Sequence, residues 1–135
     1  MEDDDKIYSG LLEDDSRLRR TNMDSILTSI KKLLGIEEDY EQFDFDIITH
    51  INSVFAILTQ LGVGPSEGFS ITDKYTTWDD YISNDAIIHP VKTYMGLKVK
   101  QMFDPPDRST IADASNKVIN ELEWRILVQA DKTTE

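Results

Sequence analysis

The segment Asp104-Pro105-Pro106-Asp107 separates two long stretches of helical periodicity. Both prolines lack the backbone donor a continuing helix needs, and each biases the residue before it away from helical angles. The preceding helix must therefore stop near Phe103. A new amphipathic pattern begins at about residue 108. Two helices joined this tightly fold back on each other as an antiparallel pair.

Upstream of this hairpin the punctuation is equally readable. A first helix is expected over 25–34, with Asp24 as N-cap and Gly35 as its stop. Ile26, Ile30, Leu33 and Leu34 share one face of it. A second is expected over 45–61, capped by Asp44 and ended by Gly62. Its stripe is Ile47, Ile51, Val54, Leu58 and Leu61, widened by Ile48, Phe55 and Ile57. A helix so broadly apolar belongs at the centre of a bundle. The third is expected over 87–103, with Pro90 in its first turn. Val91, Tyr94, Met95, Val99, Met102 and Phe103 form its face. The fourth is expected over 108–130, capped by Asp107 or Ser109. Its stripe is Ile111, Val118, Leu122 and Ile126, with Ile119 on the shoulder. The fold class is thus all-α: a four-helix bundle with a C-terminal helical hairpin and one long ordered loop.

That loop runs from Gly62 to about Thr77 and is broken by Gly62, Gly64, Pro65 and Gly68. Within it, Phe69-Ser70-Ile71-Thr72 alternates, so a short strand or hairpin over 69–76 is one expectation and an extended arm the other. Thr77 to Ile82 reads as one or two helical turns capped by Thr77. Residues 1–22 are charged, poor in apolar residues and without sustained period. They are read as an acidic extension, with residues 23–135 as the helical domain. Ile7, Tyr8, Leu11 and Leu12 make either a short segment that docks on a partner or part of a solvated tail.

Composition narrows the function. There is no cysteine, so a disulfide scaffold, a thiolate metal site and a thiol nucleophile are out. The net charge is −12, and the excess acid is spread along the chain, with seven acids and four bases in residues 1–22. Such a surface repels nucleic acid and lacks the basic footprint that binding requires. It suits either solubility or the wall of a passage to which DNA must not stick. No apolar run reaches the ~20 residues of a membrane span. The acidic N-terminus is unlike a signal peptide, so the chain is expected to stay where it is made.

No catalytic, metal or cofactor-binding set is expected. The glycines of 62–68 lack the lysine and the preceding strand of a phosphate-binding loop. The acidic run Glu37, Glu38, Asp39, Glu41, Asp44, Asp46 lacks the central glycine of a calcium loop and reads as a solvated turn. His50 borders the stripe of the second helix and His89 precedes Pro90; neither stands in a recognisable relation to a nucleophile. Trp124 and Leu97 fall off the main stripes of their helices. Either they pack under the long loop or the N-terminal extension, or they form a second apolar face for another subunit, where aromatic anchors are favoured. Trp78 and Tyr81 pose the same question, with pinning of a short helix as the plainer account.

From Met23 onward the chain resembles the head–tail connector, or adaptor, proteins of tailed phages and prophages. The residues that carry this are Met23 to Ile36 (MDSILTSIKKLLGI), Asp46 to Asn52 (DIITHIN), Leu61 to Pro65 (LGVGP), Leu97 to Pro106 (LKVKQMFDPP) and the region Glu121-Leu122-Glu123-Trp124-Arg125. Together they cover residues of about 23–130, and residues 1–22 lie outside. The resemblance implies a structural virion protein without catalysis or cofactor. It implies a ring of about twelve copies beneath the portal, closed by symmetry, that extends the DNA channel and docks the next neck or tail protein. DNA would pass without sequence-specific binding, and no membrane would be involved. The location would be the virion neck, after assembly in the host cytoplasm. On this reading Leu97, Trp124, Leu127 and Val128 are candidate subunit or portal contacts. Phe69, Ile71, Trp78 and Tyr81 are candidate loop contacts. The alternative is a monomeric cytosolic adaptor or regulator that binds one protein through the same faces.

Overall fold

A computed structural model describes residues 24–83 and 85–134. Among these residues five helices follow in order: α1 (Ile26–Leu33), α2 (Asp44–Gln60), the single turn α3 (Trp78–Tyr81), α4 (Asp85–Phe103) and α5 (Ser109–Thr134). The architecture is all-α, as expected. The docking segment read at Ile7 to Leu12 lies outside the described residues.

Helix ends follow local chemistry, with two corrections to the caps. Ser25, not Asp24, caps α1: its Oγ accepts from the Thr28 amide at 3.2 Å. Gly35 ends that helix at φ 77°, letting the Ile36 amide reach back to the Lys31 carbonyl at 2.9 Å. Asp44 does not cap α2. Phe43 holds the N-cap position without a side-chain bond, and Asp44 sits in the first turn, where its charge suits the helix dipole. Its carboxylate is taken by Lys31, 2.8 Å away. Pro90 falls in the second turn of α4, because the helix begins at Asp85. The α5 helix extends to Thr134, four residues past the expected end.

At the heart of the bundle is α4, which packs on α1, α2 and α5. This corrects the expectation that the broadly apolar second helix would be central. The core joins Ile47, Ile51, Val54, Phe55 and Leu58 of α2 to Val91, Tyr94, Met95 and Val99 of α4. From α5 it takes Ile119, Ile126 and Ala130. The buried stripe of α5 is therefore rotated toward Ile119, leaving Ile111 and Val118 exposed. On α1, Leu27 is buried and Leu33 points out; on α4, Met102 is exposed. The hairpin forms as expected, and Gln101 bonds Asn116 across it near the prolines.

The long loop is bound into the core rather than standing off it. Asn52 of α2 acts as a one-residue strand. Its Oδ1 accepts from the Ile71 amide at 2.8 Å and its Nδ2 donates to the Ile71 carbonyl at 2.9 Å. Among the described residues no strand forms at 69–76; the β pairing is a single bridge of Ser25 with Thr77. Replacing Asn52 with alanine removes both partners of a buried backbone unit. It is expected to cost about 2–3 kcal/mol, read by denaturant unfolding, and to speed hydrogen exchange at the Ile71 amide.

Two tyrosines link the core to pH. Burial pushes the Tyr81 hydroxyl well above the ordinary tyrosine range. Burial, with the Glu123 carboxylate adding to it, does the same for Tyr94. The unfolded chain gives up these protons near a pKa of about 10, while the folded chain keeps them. Their contribution is thus complete below that pH and lost above it. The melting temperature is expected to be lower at about pH 11 than at about pH 9, read by thermal scans.

Candidate assembly surface

Three corners of the bundle present groups available for contact. The first is the outer side of α5. Its C-terminal half is held straight by ordinary helix geometry, and an i,i+4 pair, Arg125 to Glu121 at 2.8 Å, sits on its surface. Trp124 is 65% exposed, Leu127 is exposed and Val128 is half-buried. Spaced three and four residues apart, these three lie together on one side of the helix. The exposed Trp124 is not covered by the long loop.

The second corner is a groove of about 830 Å³ between α1 and α4. Leu33, 59% exposed, lies over Gly96 of α4, whose missing side chain makes the room: a Cβ there would come within 2.6 Å of the Leu33 Cδ1. Leu97 adds to the apolar floor. Lys32, Lys92 and Lys100 stand around it, with the Lys92 ammonium 5.7 Å from the centre of the Trp78 ring. Leu97 also borders a smaller hollow with Ile111 and Ser115. Ile111 and Trp124 are about three and a half helical turns apart, on opposite sides of α5. The structure therefore does not bring Leu97 and Trp124 into one patch.

The third corner went unread in the sequence. Tyr40 packs tilted on Phe43, ring centres 5.6 Å apart, and Phe43 meets Phe103 edge to face at 5.3 Å. Phe45 beside them is 81% exposed. The signal was present: Phe45 falls about 200° from Ile47 on a helical projection, opposite the α2 stripe.

The loop residues are placed differently from the expectation. Ile71, Trp78 and Tyr81 are buried. Phe69 is half-buried and stacks on Phe55 and Tyr81 at 5.0 and 4.9 Å. The Trp78 indole donates to Ser29 Oγ at 2.9 Å, which ties α3 to α1. Ile71, Trp78 and Tyr81 are thus spent in the chain's own core, while Phe69 keeps part of its surface.

Half-buried His50 on α2 and exposed His89 on α4 sit on different helices. Among the described residues no group of three or more histidine, aspartate or glutamate side chains is placed to hold a metal. Of the acidic run, Asp44 is spent on Lys31. Gly62, Gly64 and Gly68 each take positive φ and make the turns of the long loop.

What remains is a helical scaffold with exposed apolar corners. Against this scaffold, the sequence model of the phage connector protein family matches residues 26–133. The chain belongs to the phage connector family. The match runs from the first residue of α1 to within one residue of the end of α5. No curated protein and no solved structure matches the chain. As a phage connector it is a component of the virion, from a structural family. No helix among the described residues is long and apolar enough to cross a membrane.

Proposed function

We propose that this phage connector assembles as a closed ring beneath the portal, extends the DNA channel and docks the next neck or tail protein. What carries the reading is the family match over the whole described fold. Two features support it. The net charge of −12 suits a wall past which DNA slides without binding. The exposed apolar groups on separated corners suit a ring, whose head-to-tail contact joins two different faces of the same chain. Leu97 belongs to one such face, and Trp124, Leu127 and Val128 to another. Assembly takes place in the host cytoplasm before incorporation into the neck.

The test is the mass of the complex formed with the portal protein, measured by native mass spectrometry. A discrete, symmetric ring of connector copies on the portal is the expected species. A one-to-one complex, or no association between folded partners, would replace the ring with the single-partner adaptor. At residue level, Trp124→Ala is expected to leave unfolding within about 0.5 kcal/mol of the parent, because the indole is exposed. It is expected to weaken assembly about 30-fold, as loss of an aromatic anchor does. Unchanged assembly would remove Trp124 from the interface.

A further inference from the structure

We infer that the groove between α1 and α4 is the docking site of this chain's own N-terminal extension, through Ile7, Tyr8, Leu11 and Leu12. This goes beyond the ring reading and does not depend on it. The first observation is charge. In a protein of net charge −12, three lysines, Lys32, Lys92 and Lys100, gather around one groove. Its floor is apolar, made by Leu33, Gly96 and Leu97. A fitting occupant is a short apolar segment flanked by acids.

The extension has that pattern. Ile7, Tyr8, Leu11 and Leu12 are spaced i, i+1, i+4, i+5, the spacing that puts four side chains on one helical face. Glu2, Asp3, Asp4 and Asp5 precede them with one base, Lys6, and Glu13, Asp14 and Asp15 follow, an excess of six acids over the fifteen residues. Connection is short as well. Asp24 is one helical turn before Thr28 and Ser29, which line the groove. Leu12 is twelve residues ahead of Asp24, and that length of chain spans up to about 40 Å. A segment tethered so closely reaches an effective concentration in the millimolar range, which favours its own groove over that of another copy. Docked there, the extension shields Leu33 and Leu97 from water, and a partner that uses Leu97 must displace it.

The experiment uses the full chain with Tyr8 replaced by the photo-crosslinking residue benzoylphenylalanine, at low concentration, with products mapped by tandem mass spectrometry. Crosslinks within one chain to peptides containing Thr28–Leu33 or Lys92–Lys100 are expected. Their yield is expected to fall about tenfold in Lys32→Glu/Lys92→Glu/Lys100→Glu, since each surface pair contributes modestly. It is expected to fall likewise in Leu11→Ser/Leu12→Ser, which alters no residue of the helical bundle. Crosslinks that map elsewhere or only between chains would overturn the proposal. So would a yield indifferent to the Leu11→Ser/Leu12→Ser pair.

Discussion

Replacing Lys31 with methionine is expected to cost about 3–5 kcal/mol of folding stability. The side chain is buried, at 2% exposure, and its ammonium has three oxygen neighbours. It donates to the Glu38 carbonyl at 2.9 Å and the Tyr40 carbonyl at 2.7 Å, and pairs with Asp44 at 2.8 Å. It therefore gathers the whole α1–α2 connection around one charge. Methionine keeps the apolar stem and the volume, so packing is nearly conserved. What it leaves is a partly buried carboxylate and two carbonyls without their donor, and that desolvation is the cost. Denaturant unfolding gives the magnitude. A loss below about 1 kcal/mol would show that water reaches the connection and that the lysine acts as an ordinary surface pair.

Phe55→Ala is expected to cost a similar amount, about 3–5 kcal/mol, by a different mechanism. Phe55 is fully buried and its ring lies 4.6 Å from Tyr81 and 5.0 Å from Phe69. Truncation opens a cavity where α2, the long loop and α3 meet. The edge-to-face and tilted contacts are lost with it. The loop is held there also by Asn52, so it is expected to loosen before the α4–α5 hairpin does. Hydrogen exchange should show faster opening at residues 69–82 than in α5, on top of the global loss. Uniform acceleration across the chain would mean that loop and hairpin unfold as one unit.

The two variants probe the features that sequence patterning handled least well. Periodicity treats lysine as a surface residue and a glycine-broken loop as a protrusion. Both are sound for local sequence, because a charge is costly to bury and loop backbone needs partners. Here each need is met by a residue far along the chain: carbonyls seven and nine residues on for Lys31, and Asn52 nineteen residues before Ile71. Such partnerships leave no periodic trace. The rotation of α5 toward Ile119 has the same origin. A five-member apolar arc can face its neighbour at several angles, and only the fit against α4 selects one.

The sequence by itself determined the helices and the hairpin. Gly35, Gly62 and the paired prolines act on their immediate neighbours through steric limits and missing donors. It also determined the family, since the sequence model of the phage connector proteins matches residues 26–133. The tertiary structure alone decided which apolar groups remain for assembly. It buried Ile71, Trp78 and Tyr81, left Trp124 and Phe45 outside, and set Leu33 against Gly96 to open a lysine-rimmed groove. Exposure belongs to the packed whole: a side chain is a surface residue only when no other element of the fold has covered it.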